Sequence, residues 1–344
     1  MFAPLLDRIR GKLSHWANSL LSYAGKITLI NSVIFGLPNF WGSSVLLPKG
    51  VVKKIQKMCK DFLWGIDAGQ RRFVFKSWDS FCLPRKEGGV GIKEILSWNK
   101  SQLLIWIRKL VIDSPTIWVK WIKAYVLKGV DIWHFQLTSA YSWAWSSLID
   151  CRDSLIQVTG SSSAAQNLLA QPDFKGIAYD LFRHKGSVFS QHKTLGDTLI
   201  YPKHAVIGIL AVQNKLPTID NLCRRGLVLI NRCVLCKQNS ESSDHLFFDC
   251  PFSANVWRVV AVWLRITVVT RWRRIFSWFK KYNKGNGCGK SLRRCALVCT
   301  IYHIWRERNK RIFQDVSSEP STLIWRIKYL VFLRVRGNAS AYGF

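Results

Sequence analysis

The sequence predicts a mostly α-helical protein, in which a helical module is followed by a small metal-stabilised helical module and a basic helical tail. Apolar residues recur at the three- and four-residue intervals of a helix over most of the chain. One short stretch combines three cysteines and a histidine at the spacing of a metal site. From Trp257 to the end, 19 Lys and Arg residues stand against three acidic residues.

The N-terminal part of the chain predicts three helices. Residues 4–35 contain two apolar runs at helical spacing with a break near residues 22–26. Residues 51–64 have the pattern of an amphipathic helix. Residues 71–75 and 90–92 are predicted as short strands or extended pieces on either side of a Pro/Gly turn.

Two more helices are predicted before the middle of the chain. Residues 95–111 carry one apolar stripe, formed by Leu103, Leu104, Ile107 and Leu110. A second stripe, which indicates a buried helix face, consists of Trp118, Trp121, Ile122 and Tyr125. The Ser- and Gly-rich residues 159–163 indicate a linker, close to which we place the main domain boundary.

The remaining chain predicts a second unit at residues 173–270. Strong helices are expected at residues 253–264 and 292–312. A loop rich in Lys, Gly and Asn lies at residues 282–289, and the tail after Ser317 is predicted to be loosely packed.

The positive charge of the chain indicates a partner that carries many phosphate groups. Lys and Arg number 51 against 20 acidic residues, a net charge of +31, so we expect nucleic acid, RNA or DNA, as the partner. No motif for a small-molecule substrate is present.

The uncharged stretch from Ile27 to Pro48 holds two prolines and several Asn and Ser residues, which favours a soluble helix and loop over a membrane span. Ten irregularly spaced cysteines and the lack of a secretory signal favour an intracellular, reducing compartment, with the nucleus ahead of the cytoplasm.

The strongest single motif is a predicted zinc site. Cys233, Cys236, His245 and Cys250 have the spacing C-x2-C-x8-H-x4-C. The first pair turns two sulfurs toward one point, and the second segment completes a tetrahedron. Four protein ligands leave no open coordination position, so we expect a structural Zn²⁺ ion. Asp244 or Glu241 is a candidate to orient the ring of His245.

A second Cys/His group is interpreted as a buried helix face. Cys288, Cys295, Cys299 and His303 share one side of the predicted C-terminal helix. Because no second segment of the sequence supplies further ligands, we expect packing and not metal binding at this group.

No catalytic constellation stands out. Polymerase-type phosphoryl transfer requires paired carboxylates that hold two metal ions, and the 20 acidic residues include no Asp-Asp pair. We therefore expect that the protein is not an enzyme.

These motifs resemble the zinc-binding domain of plant LINE-type (non-LTR) retrotransposon reverse transcriptases. The resemblance lies in Asn214 to Leu222, the four Cys and His residues, Asp244 to Pro251, and Val256-Trp257. Upstream stretches resemble the region that follows the polymerase: Trp16 to Lys26, Leu47-Pro48, Asp61 to Gly65, and Gly88 to Ile92. Downstream, Ile304 to Phe313 resembles the basic helix that often follows the zinc unit. Residues 135–172 do not follow the family's pattern.

The resemblance implies a domain map and a set of roles. Residues 1–158 would be a thumb-like or connection region, residues 173–270 the zinc-binding domain, and residues 271–344 a basic helical tail. It implies zinc ligation by the four Cys and His residues. The basic helix offers the candidate nucleic-acid contacts Arg306, Arg308, Lys310 and Arg311. The endonuclease, polymerase and RNase H segments of these elements have no counterpart in the sequence.

The function predicted from the sequence is zinc-dependent, non-catalytic binding of nucleic acid by a protein derived from a retrotransposon. One alternative is a zinc-stabilised module that binds another protein through the helix carrying Trp257 and Trp263. A second alternative is a decayed fragment of an element with no present function.

Overall fold

The computed structural model describes residues 2–17, 21, 23–36, 39–64, 77–138, 141–267, 269, 271–285 and 287–337. The helices in these residues are, in chain order, α1 (Ala3–Ala17), α2 (Tyr23–Gly36), α3 (Asn39–Ser44), α4 (Lys49–Trp64), α5 (Trp78–Cys82), α6 (Ile95–Val111), α7 (Ile117–Trp121), α8 (Trp143–Thr159), α9 (Ser162–Ala170), α10 (Phe174–Phe182), α11 (His192–Leu195), α12 (Pro202–Val212), α13 (Ile219–Cys223), α14 (Pro251–Trp263), α15 (Trp272–Tyr282), α16 (Cys288–Gln314) and α17 (Pro320–Arg336). A 3₁₀ turn at Arg85–Glu87 and two π-helical turns, at Ile122–Leu127 and His245–Asp249, complete the regular structure. The described residues contain no strand, which confirms the prediction of a mostly helical fold.

The chain folds as two compact units. Unit 1 comprises residues 1–21, 26–71 and 92–185, and unit 2 comprises residues 22–25, 72–91 and 186–344. The four predicted zinc ligands and the basic C-terminal segment belong to unit 2.

Unit 1 is organised around α6, whose bounds agree with the predicted helix. The side chain of Glu94 caps this helix, because its carboxylate accepts the backbone N–H groups of Leu96 and Ser97 at 3.0 and 2.8 Å. The predicted apolar stripe is buried and packs with side chains of α8, α9 and α10. The core of this unit therefore forms where the sequence predicted an apolar helix face.

Two sequence interpretations in unit 1 are wrong. Trp121 and Tyr125 are 53% and 68% exposed, so this aromatic stripe does not form a buried face, although Ile122 between them is buried. The Ser/Gly cluster at residues 159–163 lies inside unit 1. There, Gly160 ends α8 with φ of 84°, and the Ser161 hydroxyl caps α9 by accepting the Ala164 N–H at 3.2 Å.

Of the two segments predicted to be extended, the structure describes only residues 90–92. Residues 71–75 lie outside the described residues. Residues 90–92 are non-helical and belong to no strand, and their backbone N–H groups bond to α5 and the residue after it: Val90 donates to Phe81 and Gly91 to Leu83.

The main helices of unit 2 are α12, α14, α16 and α17, and their packing corrects one prediction. The tail after Ser317 is not loosely packed, because it contains the five-turn helix α17. Leu323, Ile327 and Val331 recur at four-residue intervals on this helix, are at most 1% exposed, and face α14 and α16. None of the helices in the described ranges has the length and apolar character needed to cross a membrane.

Candidate metal centre

The first half of the candidate site is a tight turn that carries Cys233 and Cys236. The backbone N–H of Lys237 donates to the Cys233 carbonyl at 2.8 Å, and the N–H of Cys233 donates to the Asn239 carbonyl at 2.8 Å. Lys237 adopts a left-handed backbone conformation, with φ of 57°, that reverses the chain immediately after the second cysteine. These bonds hold both sulfurs on the same side of the turn.

The second half is the π-helical turn His245–Asp249 and the residue that follows it. The Ser242 hydroxyl accepts the His245 N–H at 3.1 Å and so caps the start of the turn. At its other end, the N–H of Cys250 donates to the His245 carbonyl at 2.6 Å. Pro251 then opens α14, at the helix position where a missing N–H costs nothing. His245 and Cys250 are thus held at the two ends of one turn.

The two halves bring all four predicted ligands together. Their ligand atoms lie within 4.8 Å of one another, and the Cys236 Sγ and His245 Nε2 atoms are 3.3 Å apart. A tetrahedral zinc ion, with Zn–S distances of about 2.3 Å and Zn–N distances of about 2.0 Å, holds its ligand atoms roughly 3.5–3.8 Å from each other. Three thiols and one imidazole at this separation fit structural zinc.

The thiols of this cluster are electrostatically coupled. The pKa of Cys250 is lowered, first by the hydrogen bond from the Cys233 thiol and further by the backbone N–H groups of Ser253 and Phe252 at the start of α14. The pKa of Cys233 is raised, chiefly because its thiol is the donor in that pair. Hydrogen bonds from a neighbouring thiol and from the start of α14 therefore favour a thiolate, the form that binds metal, within this cluster.

A buried ion pair fixes the loop between the two halves. The Glu241 carboxylate is fully buried, and the guanidinium of Arg308 on α16 donates to it from Nη2 at 2.9 Å and from Nε at 3.2 and 3.3 Å. The same carboxylate accepts the backbone N–H of Ile219 at 2.9 Å. Glu241 therefore anchors the loop to two helices, so of the two residues predicted as candidates to orient His245, Glu241 has this other role.

A second arginine of α16 contacts the cysteine turn directly. Arg311 donates from Nη1 to the carbonyl of Leu235, between the two cysteines, at 3.1 Å. Its Nε bonds to Glu307 at 3.0 Å, and its guanidinium lies 4.6 Å from the centre of the Phe252 ring. Arg311 thus links α16, the cysteine turn and the start of α14.

The four basic residues predicted to contact nucleic acid therefore separate into two groups. Arg308 is 2% exposed and bound within the protein, so in this structure it has no access to a phosphate. Arg311 is half-buried and donates hydrogen bonds to Leu235 and Glu307. Arg306 is exposed, and Lys310 is half-buried with its Nζ atom 3.3 Å from the Ser318 hydroxyl. Sequence reasoning did not identify the partner of Arg308, because Glu241 lies 67 residues away in the chain.

Aromatic side chains form the support beneath the π-helical turn. Phe247 and Phe248 are fully buried, and both stack on Trp272 of α15, with ring centres 4.9 and 5.5 Å apart. Trp257 of α14 is also fully buried, and its indole N–H donates to the Val269 carbonyl at 3.0 Å. Trp257 is thus not available for the predicted contact with a partner protein, whereas Trp263 is 39% exposed.

Helix α15 is an element that the sequence interpretation missed. Its apolar residues Trp272, Ile275, Phe276 and Phe279 recur at helical spacing and are buried. The opposite face is exposed and includes Arg274 and Lys281, and Tyr282, the last residue of the helix, is exposed as well. The helical periodicity was visible in the sequence, and it is the signal that identifies both faces of this helix.

Comparison with known proteins agrees with the geometry of the cluster. Residues 176–257, which include all four ligands, match the family described as zinc-binding in reverse transcriptase. The chain is also 29% identical over 117 residues to a putative ribonuclease H protein of Arabidopsis thaliana. That similarity covers 34% of this chain and 19% of the relative, so the chain spans less than a fifth of that protein's length. The family match and the Cys3His cluster together support a zinc-binding protein of retrotransposon origin.

Proposed function

We propose that this protein is a non-catalytic nucleic-acid-binding protein, derived from the C-terminal region of a LINE-type reverse transcriptase and stabilised by zinc bound to Cys233, Cys236, His245 and Cys250. In this proposal, the zinc ion holds the cysteine turn to the π-helical turn, and the chain's own basic side chains bind phosphate. Nucleic acid is the partner, and no small-molecule substrate is involved.

The observation that carries the proposal is the two-faced character of α15. Its apolar face packs on the aromatic residues of the zinc segment, while Arg274 and Lys281, two helical turns apart, lie on the exposed face. Tyr282 is 57% exposed, and its ring lies 5.7 Å from that of Trp278. Basic side chains next to accessible aromatic rings provide phosphate contacts and a surface on which bases stack.

The distribution of charge supports the same surface. The 19 Lys and Arg residues from Trp257 onward, less the three acids Glu307, Asp315 and Glu319, leave +16, which is about half of the net charge of the whole chain. Exposed basic residues also occur near the zinc loop, at Arg232 and Lys237. A phosphate backbone gains affinity from such a surface through release of its counterions.

A binding titration tests the proposal. Affinity for single-stranded and duplex oligonucleotides should fall steeply with salt, with a log–log slope near −0.9 per phosphate contact on duplex DNA. The double variant Arg274→Gln, Lys281→Gln should make that slope shallower by roughly one for each phosphate-binding side chain that it removes. Absence of binding at low salt would contradict the proposal.

A charge-matched control makes this test specific. Lys53 and Lys57 are exposed and one turn apart on α4 of unit 1. The double variant Lys53→Gln, Lys57→Gln removes the same charge from the chain, so it measures the non-specific part of the effect. An equal decrease of affinity in both double variants would exclude α15 as the binding surface.

The non-catalytic part of the proposal needs its own assay, because the Arabidopsis relative is named as a putative ribonuclease H protein. For the polymerase reaction, the supporting observation is that the acidic residues of the sequence include no adjacent Asp-Asp pair. We expect no cleavage of an RNA–DNA hybrid and no primer extension by the purified chain in the presence of Mg²⁺. Cleavage above that of a mock preparation would overturn this part of the proposal.

A protein-binding role is the second candidate function, and one surface favours it. Leu227, Leu229 and Ile230, which precede the cysteine turn, are 63%, 97% and 76% exposed. The double variant Leu229→Ser, Ile230→Ser separates the two functions. It should leave nucleic-acid affinity unchanged, whereas binding of a partner protein through this segment would be abolished.

A further inference from the structure

We propose that unit 2 contains a second metal site, formed by His204, Cys299 and His303, which binds a transition-metal ion of the Zn²⁺ class. The three ligand atoms lie within 4.8 Å of one another, as they do in the Cys3His cluster. The residues are 1%, 0% and 3% exposed, and none of them belongs to the Cys3His cluster. This inference is independent of the proposed nucleic-acid binding.

Two helices supply the ligands. Cys299 and His303 are one turn apart on α16, and His204 comes from the first turns of α12. The sequence interpretation rejected metal binding at Cys299 and His303 because no second segment supplied a ligand. The structure supplies that segment, because α12 packs directly on α16.

Helices α12 and α16 pack closely because Gly208 has no side chain. Gly208 lies one turn beyond His204 on α12, and a Cβ atom at this position would come within 3.4 Å of Val298 Cγ1 and 3.1 Å of Leu195 Cδ2. Close packing at Gly208 holds the imidazole of His204 at the α16 surface. The ring of His204 is also stacked on that of Tyr302, with centres 4.1 Å apart.

The histidines have polar atoms that their protein surroundings do not satisfy. Both ring nitrogens of His204 and the Nε2 atom of His303 are buried and have no hydrogen-bond partner. An unpaired buried polar atom costs about 1–3 kcal/mol, so native proteins rarely leave several together. A metal ion would bind the lone pairs of both imidazoles at once, and the Cys299 thiolate provides a soft third ligand.

The donor set decides the class of ion. Two imidazoles and one thiolate are ligands for zinc and related transition metals, whereas calcium and magnesium require oxygen ligands. Three protein ligands leave a fourth position for water, unlike the closed Cys3His cluster. Both imidazoles are buried, and burial favours the neutral form of the ring, which has a lone pair to donate to a metal.

The nearby charges oppose a bound cation and make the thiolate necessary. Lys203, Arg306 and Arg326 act on these histidines, and each of them disfavours positive charge there. The negative charge of a Cys299 thiolate offsets part of this repulsion when the metal displaces its proton. We therefore expect the second site to bind zinc more weakly than the Cys3His cluster.

A count of bound zinc ions on the full chain tests the proposal. The parent chain, loaded with Zn²⁺ and desalted to remove loosely bound metal, should hold two ions per chain by atomic emission. Cys299→Ala should hold one. A count of one for the parent chain, or of two for Cys299→Ala, would overturn the proposal.

Cys295 provides the matched control for this count. It lies one turn before Cys299 on α16, is 1% exposed, and its thiol donates to the Leu199 carbonyl at 3.4 Å. Cys295→Ala creates a similar cavity without removing a ligand, so it should retain two ions. Loss of an ion from Cys295→Ala would show that the count reports packing damage, and the proposal would fail.

Two further variants complete the design. Cys236→Ser should also lower the count to one by removing the other site, so the two sites are tested separately. If Cys299→Ala lacks the helical circular dichroism of the parent chain, His204→Gln takes its place with the same expected count of one. Retention of two ions by a folded His204→Gln chain would also overturn the proposal.

Discussion

Arg306 and Arg308 show how two identical residues on one helix acquire different roles. The sequence presents both as part of a basic run, and from the sequence we predicted nucleic-acid contacts for both. Helical geometry separates them, because residues two apart point to different sides of a helix. Arg306 lies on the surface, and Arg308 is buried against Glu241.

The substitution Arg308→Ala should destabilise unit 2 strongly. It leaves the Glu241 carboxylate buried without its cation, a defect that costs about 3–5 kcal/mol. Because Glu241 lies in the loop between the two halves of the zinc site, the variant should also release zinc faster to a chromogenic chelator. Chemical denaturation measures the first effect and the chelator assay the second.

Arg306→Ala is the matched control for this prediction, since the same side chain is removed from an exposed position two residues away. Its effect on the free energy of unfolding should stay within about 0.5 kcal/mol. Equal destabilisation by the two variants would show that the buried ion pair does not support the zinc loop.

The candidate site was predictable from sequence only where its residues are close in the chain. The four ligands lie within 18 positions, and their spacing identified them. The support from Arg308 and Arg311 was not predictable, because it joins segments more than 60 residues apart. His204 was missed for the same reason, since its neighbours Cys299 and His303 come from the distant helix α16.

At the scale of single elements, the apolar pattern of the sequence predicted four of the longer helices. Helices α4, α6, α14 and α16 lie within a few residues of the predicted ranges. Helix α17 shows the opposite case. Its aromatic residues Trp325, Tyr329 and Phe332 are exposed on one side, and the narrow buried stripe on the other side was not identified.

The burial of α17 predicts a large effect for one substitution. Ile327→Ala removes a fully buried side chain between α17 and the helices beneath it, and we expect a loss of about 2–5 kcal/mol in the free energy of unfolding. Phe332→Ala, on the exposed side of the same helix, should cost less than about 0.5 kcal/mol. Urea denaturation followed by circular dichroism measures both. If both substitutions changed the free energy of unfolding only slightly, the result would support the sequence prediction of a loosely packed tail.

At the scale of the whole molecule, zinc belongs to one of the two compact units. All four residues of the Cys3His cluster, and all three of the proposed second site, lie between residues 186 and 344. Unit 1 instead has an apolar core contributed by α6, α8, α9 and α10. A ligand that binds only the native state stabilises the unit that contains its site. The contribution of the metal to stability is therefore expected to be local.

Removal of zinc should consequently loosen unit 2 and leave unit 1 unchanged. Treatment with a strong chelator should increase amide hydrogen exchange in the cysteine turn, the π-helical turn and α14, which these ligands hold together. The loss of stability there should be about 2.7 kcal/mol for zinc originally present at 100 times its dissociation constant. Exchange in α6 and α8 serves as the internal control, because both helices belong to unit 1. Equal loss of protection in these helices would contradict a local role for the metal. Restoration of protection by added Zn²⁺ but not Mg²⁺ would show that the effect comes from the thiol and imidazole ligands.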